Sequence, residues 1–304
     1  MTDQAPSFAE LLRHFSFDVP WLIVLIAMAV GYAVAFRRSR RRAQHRPQAT
    51  WRLAAFLGGV AILAIAVLSP LEYYGNQVLW VDFLGFLLVT MIAPPLLVLG
   101  APLTLAFRVS GPSGRRRLRR FYRGWLMSRL AFPLTSWMLF AVVTYAWQFS
   151  NLTDLAATND IVRDVQQFTL LLVAVLFWMP AICADPARWR MAWPLRGLYV
   201  FVEMTHKGLF GGMFLATNHT FHAGFASRLP VWTNLTAIAD QRVAILVLWI
   251  GGNMVFVVAV VFILAGWVRY ERRNTHRVDW RLSLQWEARR RRKAALEKVF
   301  TKGV

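Results

Sequence analysis

Three ionisable residues, Glu203, His206 and Lys207, stand within a long apolar stretch of this 304-residue chain. Residues three and four apart share one face of a helix, so Glu203 can reach both of the others. Charged groups in apolar surroundings are costly and are functional candidates. The group fits an internal ion pair that fixes helix packing, a proton or ion relay, or a metal site of the Glu-x-x-His type. Because the sequence holds no second Glu-x-x-His, a two-metal site is not expected.

A pair of histidines, His219 and His222, follows the same apolar stretch. This spacing can bring two imidazoles to one metal ion when the segment is helical, but the same spacing also arises by chance. Met213 could add a thioether, which suits Cu(I). Five further polar residues begin or border apolar stretches on what we expect to be the same side of the protein: Asp82, Gln166, Gln167, Asp240 and Gln241.

The sequence does not suggest an enzyme. We find no paired acid and base, no nucleophile beside a base and no phosphate-binding loop. The glycine pairs Gly211-Gly212 and Gly251-Gly252 suit close contact between helices rather than nucleotide binding. The single cysteine, Cys183, excludes an intrachain disulfide and a metal site built from several cysteines.

The composition indicates an integral membrane protein. Apolar residues make up 57% of the chain and charged residues only 16%, whereas about a quarter of the residues of a soluble domain are charged. The net charge of +20 falls in blocks between long apolar runs. A nucleic-acid-binding function is therefore not expected, because the basic blocks are separated by segments that belong in lipid.

Seven stretches are long enough to cross a bilayer, which takes roughly 20 mostly apolar residues. We therefore predict an all-α bundle of about seven transmembrane helices. The predicted spans cover residues 20–36, 51–68, 79–107, 131–149, 166–183, 197–216 and 243–268.

The third predicted span is too long for one straight helix and contains Pro94, Pro95 and Pro102. Adjacent prolines remove amide donors and clash with the preceding turn, so we expect a kink or break near Pro94. Backbone groups freed inside a membrane must then be satisfied by neighbouring helices or water. The alternatives are a kink that serves packing and a broken helix that lines a cavity.

The distribution of arginine predicts the orientation. Connections after the first, third and fifth predicted spans are rich in arginine, whereas those on the opposite side hold few, mainly Arg163, Arg228 and Arg242. We therefore expect the N-terminus outside and the C-terminus in the cytoplasm. Attraction to anionic lipid accounts for the basic loops. Their arginines are Arg37, Arg38, Arg40, Arg41, Arg42, Arg46, Arg115, Arg116, Arg117, Arg119, Arg120, Arg123, Arg188, Arg190 and Arg196.

The chain is expected to divide into three parts. Residues 1–19 form an extracytoplasmic segment, residues 20–268 a seven-helix membrane domain and residues 269–304 a basic cytoplasmic tail. Within the tail, residues 278–300 mix Trp280, Leu284 and Trp286 with arginines. This pattern fits either an amphipathic helix on the inner leaflet or a solvated helix.

Four segments resemble the CtaG-type cytochrome c oxidase assembly factors, the polytopic bacterial family of that name. They are Ala-Pro-Pro-Leu-Leu-Val-Leu-Gly-Ala-Pro at residues 93–102, Phe-Trp-Met-Pro at 177–180, Asp-Gln-Arg-Val-Ala at 240–244 with Trp249, and Gly-Trp-Val-Arg at 266–269 followed by Glu-Arg-Arg at 271–273. The resemblance covers residues 68–273. It implies seven spans of the same polarity, a bacterial plasma membrane location, a respiratory oxidase subunit as partner and a role in supplying copper to the oxidase.

This chain departs from the family at the residues that the resemblance implies for copper. Where the family has His-x-x-x-His before the Ala-Pro-Pro segment, this chain has Asp82 and Phe86. Where the family has His-x-x-Glu-His at its fifth span, this chain has Arg163, Gln166 and Gln167. A replacement site of Asp82, His219 and His222 is conceivable, and its harder donors also suit Zn(II) or Cu(II).

Three functional interpretations follow. The first, which we favour, is a membrane assembly factor for a respiratory cytochrome c oxidase that supports maturation of its copper centres. The second is a transporter or ion-conducting protein, based on the interrupted third span and the charged group at residues 203–207; the lack of an internal repeat weighs against it. The third is a membrane scaffold that has lost metal binding and keeps only its partner.

Overall fold

The structure is a computed structural model that describes residues 18–42, 48–148, 151–186 and 189–301. Within these ranges every regular element is helical, which confirms the predicted all-α class. The α-helices are α1 (Val19–Arg42), α2 (Thr50–Leu68), α3 (Pro70–Gly75), α4 (Leu79–Leu87), α5 (Ala93–Leu99), α6 (Pro102–Val109), α7 (Pro112–Arg123), α8 (Trp125–Leu130), α9 (Pro133–Gln148), α10 (Leu152–Ala156), α11 (Asp160–Ile182), α12 (Trp193–Leu215), α13 (Ala223–Arg228), α14 (Ala237–Leu246) and α15 (Gly252–Thr301).

Five helical segments of the described chain are long and apolar enough to cross a membrane. They are Val19–Arg41, Thr50–Leu68, Leu79–Val109, Asp160–Ile182 and Ala237–Thr275. The fourth and sixth predicted spans correspond to α9 and α12, of 16 and 23 residues. Helix α9 is shorter than a usual span, and α12 carries Glu203 and Lys207. A count of seven spans and their orientation stay predictions.

The third span is interrupted in two places, once directly before Pro94 and once after it, before Pro102. A π-helical turn, Leu88–Ile92, lies before Pro94, and α5 begins directly after it, so the prolines stand in the first turn of a new helix. The break comes seven residues later, at Ala101, whose φ of 53° is left-handed. The interruption expected near Pro94 is thus present as a π-helical turn, and a second one, at Ala101, precedes Pro102.

Side chains from other segments satisfy the backbone at this break. Tyr32 Oη donates a hydrogen bond of 2.6 Å to the Gly100 carbonyl, and Gln48 Nε2 donates one of 2.9 Å to the same oxygen. Trp178 Nε1 donates to the Thr90 carbonyl within the π-helical turn at 3.2 Å. These bonds meet the requirement that backbone groups inside a membrane find partners within the protein.

Aromatic side chains form the centre of the bundle. Phe177 of α11 stacks on Phe140 of α9 and on Tyr199 of α12, while Trp178 stacks on Phe256 of α15. The four residues Phe140, Phe177, Trp178 and Phe256 are almost completely buried. This core packs α9, α11, α12 and α15 against one another. It therefore fixes the relative positions of the polar side chains on these helices, which are described below.

The last helix runs without interruption through the expected boundary between membrane domain and tail. Helix α15 covers 50 residues, from Gly252 to Thr301, so the tail continues the final span as a helix. Its backbone is compatible with both expected forms of the tail. The N-terminal residues 1–17, which belong to the expected extracytoplasmic segment, lie outside the described residues.

Candidate functional site

A buried arginine binds two carboxylates at one end of the bundle. Arg163 Nη1 lies 2.7 Å from Asp82 Oδ1, and Arg163 Nε forms a second ion pair with Glu72 Oε1. Gln167 Nε2 donates a 2.7 Å hydrogen bond to the other oxygen of Glu72. We call these four residues the arginine cluster. Because an arginine stays protonated in proteins, the cluster holds a permanent cation between two acids.

Local sequence places each acid beside the arginine. Ser69 accepts a hydrogen bond from the Leu71 amide and begins α3, which carries Glu72 one turn later. Asp82 lies in the first turn of α4. The first two amides of that helix, of Leu79 and Trp80, donate to Asp240 at 3.0 and 3.2 Å. The Asp240 carboxylate therefore caps the N-terminus of α4 and helps to hold in place the turn that carries Asp82.

Glycine at position 75 leaves room for the guanidinium. A Cβ atom on Gly75 would lie 3.2 Å from Arg163 Nη2 and 3.4 Å from the Cα atom of Asp82. A larger residue here would push the arginine away from its acids. The close approach of the Arg163 guanidinium to α3 thus depends on this glycine.

A cavity of about 20 Å³ adjoins the arginine cluster and is also lined by Gln166 and Phe86. That volume is about enough for one water molecule. Arg163, Asp82, Gln166 and Gln167 are all buried. Burial raises the pKa of Glu72, and the neighbouring guanidinium works in the opposite direction. The ion pairs offset part of the cost of removing these charges from water.

The two histidines proposed as metal ligands have different surroundings. The ring of exposed His219 packs on Phe221, whereas buried His222 faces Asp154, with Nδ1 at 3.9 Å from Oδ1. Burial lowers the pKa of His222, against the attraction of Asp154 and Asp82. Asp82 itself is engaged by Arg163.

Among the residues that the structure describes, no three His, Cys, Asp or Glu side chains are grouped so that they could hold a metal ion. The predicted set of Asp82, His219 and His222 is therefore not assembled in this arrangement. The physical reason is that each member has another neighbour: a guanidinium, a phenylalanine ring and an aspartate. Metal binding by these residues stays a prediction.

Two other predicted residues hold the loop that carries the histidines. Gln241 Oε1 accepts a hydrogen bond from the Phe221 amide at 2.8 Å, and its Nε2 donates to the His219 carbonyl at 3.1 Å. Asp240 caps α4, as described above. In this structure, the buried side chains of Asp240 and Gln241 both hydrogen-bond to backbone groups of other segments.

The mid-helix group predicted from the sequence is present as a loose ion pair. Glu203 Oε1 lies 3.9 Å from Lys207 Nζ, and Glu203 Oε2 lies 3.7 Å from His206 Nδ1. The Glu203 side chain is fully buried, and neither of its oxygens has a hydrogen-bond partner in the described part of the chain. Met213 is 55% exposed on the outside of α12 and contributes no thioether to this group.

Sequence reasoning missed two members of these groups, Glu72 and Asp154. Glu72 stands three residues after Ser69, the spacing of a helix-capping box, and this signal could have marked it. In the structure, however, its carboxylate binds Arg163 instead of the helix amides. Asp154 accepts a hydrogen bond from the Gly224 amide at 3.2 Å and faces His222. No local pattern in the sequence marks it.

Comparison with known families agrees with the resemblance described above. The family model of the cytochrome c oxidase caa3 assembly factor matches residues 30–270. The chain belongs to this family. Its membership confirms the interpretation drawn from the four sequence segments, and the matched region includes the arginine cluster and the interrupted third span.

Three relatives come from mycobacteria, and each is described only as an uncharacterised protein. Those of Mycobacterium bovis and Mycobacterium tuberculosis are 30% identical over 283 residues, covering 91% of this chain and 42% of each relative. That of Mycobacterium leprae is 26% identical over 283 residues, covering 91% of this chain and 43% of the relative. The chain thus spans about two fifths of the length of these relatives. No solved structure matches it.

The arginine cluster does not suit copper. The resemblance implies histidines at the positions of Asp82, Phe86, Arg163 and Gln167 and a glutamate at that of Gln166. The structure brings these five positions together around one small cavity. Their donors are carboxylates and amides, whereas Cu(I) prefers thiolates, thioethers and imidazoles. A guanidinium between the acids also repels any cation. The residues present therefore do not fit a copper ion here.

Proposed function

We propose that this chain helps to assemble a respiratory cytochrome c oxidase in the bacterial plasma membrane, as a docking scaffold that does not bind copper at the arginine cluster. Its family membership supports the assembly role and a non-catalytic function. An assembly factor has to contact components of the oxidase, so one or more oxidase subunits are the expected partners.

The observation that carries the scaffold interpretation is the position of Arg163. It lies where the resemblance implies metal ligands, and it pairs with both Glu72 and Asp82. A cation of the chain itself thus holds the two acids together at this end of the bundle. A stable end of the bundle is what a docking surface requires, because a preorganised surface loses less entropy on binding.

Delivery of copper is the more specific alternative. It would require a second site, for which His219 and His222 are the candidates within the sequence. Its support is the role in copper supply that the sequence resemblance implies, since the described residues do not group three ligands. The two versions differ in one measurable property, which is whether the purified protein holds copper.

The test begins with a strain that lacks the gene. We expect its membranes to lose caa3-type oxidase activity, and we expect added copper not to restore it. The unmodified gene and a His219→Ala, His222→Ala double variant should both restore activity, whereas Arg163→Met should not. Normal oxidase in the deletion strain would rule out the assembly role.

Metal analysis separates the scaffold from the delivery version. We expect the detergent-purified full chain to hold no stoichiometric copper after loading and desalting. About one copper per chain, lost in the double histidine variant, would instead show that a copper site exists outside the arginine cluster. In the deletion strain, Arg242→Met, which changes an exposed arginine, is the matched control for Arg163→Met and should restore activity.

A further inference from the structure

A second, larger cavity lies between helices of the bundle, separate from the arginine cluster. It has a volume of about 60 Å³ and lies between α4, α9, α12 and the segment that joins α14 to α15. Its walls are mostly apolar, with Phe83, Leu87 and Leu248 among them. Three polar side chains also reach it: Tyr145, Gln148 and Lys207. The proposed assembly role leaves this cavity without a function.

Two π-helical turns form parts of its wall. Met91 belongs to the turn Leu88–Ile92, and Trp249 belongs to the turn Val247–Gly251. Turns of this kind are rare and occur frequently at functional sites. Gly211 of α12 lies under Trp249: a Cβ atom there would stand 3.3 Å from the Trp249 ring. The small residue therefore keeps the cavity open beside the indole.

Two of these polar side chains, Gln148 and Lys207, carry hydrogen-bond donors that an acceptor in the cavity could use. Gln148 is buried, and its Nε2 has no hydrogen-bond partner among the described residues. Lys207 Nζ lies 3.9 Å from Glu203, beyond hydrogen-bond distance, and 4.8 Å from the centre of the Phe140 ring. A buried donor without a partner destabilises the protein, because it has lost its hydrogen bond to water without gaining another. A ligand with an acceptor oxygen would satisfy both groups.

The size and charge of the cavity restrict the ligand. The ammonium of Lys207 disfavours a cation. An engineered cavity of roughly 150 Å³ admits a benzene ring, so about 60 Å³ is too small for one. A slender apolar chain that ends in a carbonyl group meets both restrictions and supplies the acceptor oxygen. Gly211, Phe214 and Trp249 are partly exposed, so such a chain can enter from the outside of the bundle between α12 and the π-helical turn.

We propose that this cavity binds the carbonyl end of an unbranched acyl chain from the membrane, with Gln148 Nε2 and Lys207 Nζ as donors to the carbonyl oxygen. A free fatty acid and a lipid ester share this chemistry. The fatty acid presents a carboxyl group and the ester a neutral carbonyl, so two probes can distinguish them.

The test uses the full chain in lipid nanodiscs with palmitic acid that carries a photoreactive diazirine close to its carbonyl, and with the methyl ester of the same probe. After irradiation, mass spectrometry should find label on the peptides that contain Phe214 and Trp249. Lys207→Met and Gln148→Leu should each reduce this label about tenfold. Labelling by the acid alone supports a free fatty acid as ligand, and labelling by both probes supports a site that also accepts esters.

Two neighbouring glycines provide the matched controls. Gly211→Val puts methyl groups against Trp249 and should abolish labelling. Gly212→Val should leave it unchanged, because a Cβ atom at Gly212 has nothing within 4 Å. Equal labelling of these two variants, or label spread evenly over all membrane-facing helices, would overturn the proposal. Size-exclusion profiles of all variants show whether any loss reflects unfolding.

Discussion

One guanidinium pairs with two acids that are brought together from distant parts of the chain. Arg163 lies 91 residues from Glu72 and 81 from Asp82 in the sequence. Removing one partner of a buried ion pair typically costs about 3–5 kcal/mol, since the remaining charge is left without compensation. At the scale of single residues, two predictions follow, one for this cluster and one for buried His222.

Arg163→Met should lower the free energy of unfolding by about 3–5 kcal/mol, because it leaves Glu72 and Asp82 buried without their cation. The measurement is the midpoint of unfolding in detergent. Adding Glu72→Gln and Asp82→Asn to the variant should recover much of the loss, since the uncompensated charges are then gone. Arg242→Met should change stability by no more than about 1 kcal/mol. An equal effect of the two arginine variants would contradict the importance of the cluster.

His222 should make stability depend on pH. Burial lowers its pKa below the ordinary value of 6.5, so the folded state favours the neutral ring. Stability is therefore complete above the unfolded pKa and falls as the pH drops through 6.5 towards the folded pKa. We expect the midpoint of thermal unfolding to fall between pH 7.5 and 5.5, and His222→Gln to reduce this fall. The same substitution at exposed His219 should leave the pH dependence as it is.

At the scale of elements, the interrupted third span depends on bonds from other segments. The break at Ala101 frees the Gly100 carbonyl, which Tyr32 and Gln48 satisfy. The π-helical turn Leu88–Ile92 accommodates the start of α5 at the two prolines, so no break is needed at Pro94. The interruption therefore depends on three segments: the third span, α1 with Tyr32, and the residues before α2 with Gln48. It lies where these two donors reach the freed carbonyl.

The double variant Tyr32→Phe, Gln48→Leu should remove both donors and leave a buried carbonyl unsatisfied, at a cost of about 1–3 kcal/mol. Each single variant should cost less, since one donor then remains. Unfolding midpoints of the three variants measure this, and the effect of the pair should exceed the sum of the single effects. Tyr270→Phe, on an exposed tyrosine of α15, is the control. A purely additive result would argue against a shared acceptor.

At the scale of the whole molecule, the prediction concerns membrane topology. The arginine-rich connections predict seven spans with the N-terminus outside. Reporter fusions after residues 124, 190 and 275 should be active as cytoplasmic fluorescent protein. Fusions after residues 77, 157 and 230 should be active as secreted phosphatase. If α9 or α12 did not cross the membrane, every reporter after that helix would change its side, which identifies the failing span.

The sequence by itself determined class and family. Long apolar runs require helices in lipid because a backbone without water must bond to itself locally, and this requirement acts within each segment. The order of the segments at residues 93–102, 177–180 and 240–244 identified the family, which the family model confirmed. The candidate positions of the family ligands, from Asp82 to Gln167, were likewise found by matching motifs along the chain.

Only the tertiary structure decided what those positions do. Asp82, Glu72 and Arg163 meet because α3, α4 and α11 pack at one end of the bundle, and no local pattern encodes contacts over 81 or 91 residues. The same holds for Asp240, which caps α4 from 161 residues away. Electrostatic pairing and capping depend on distance in space, whereas sequence patterns report only distance along the chain. For that reason the sequence could name the polar residues, and the fold had to pair them.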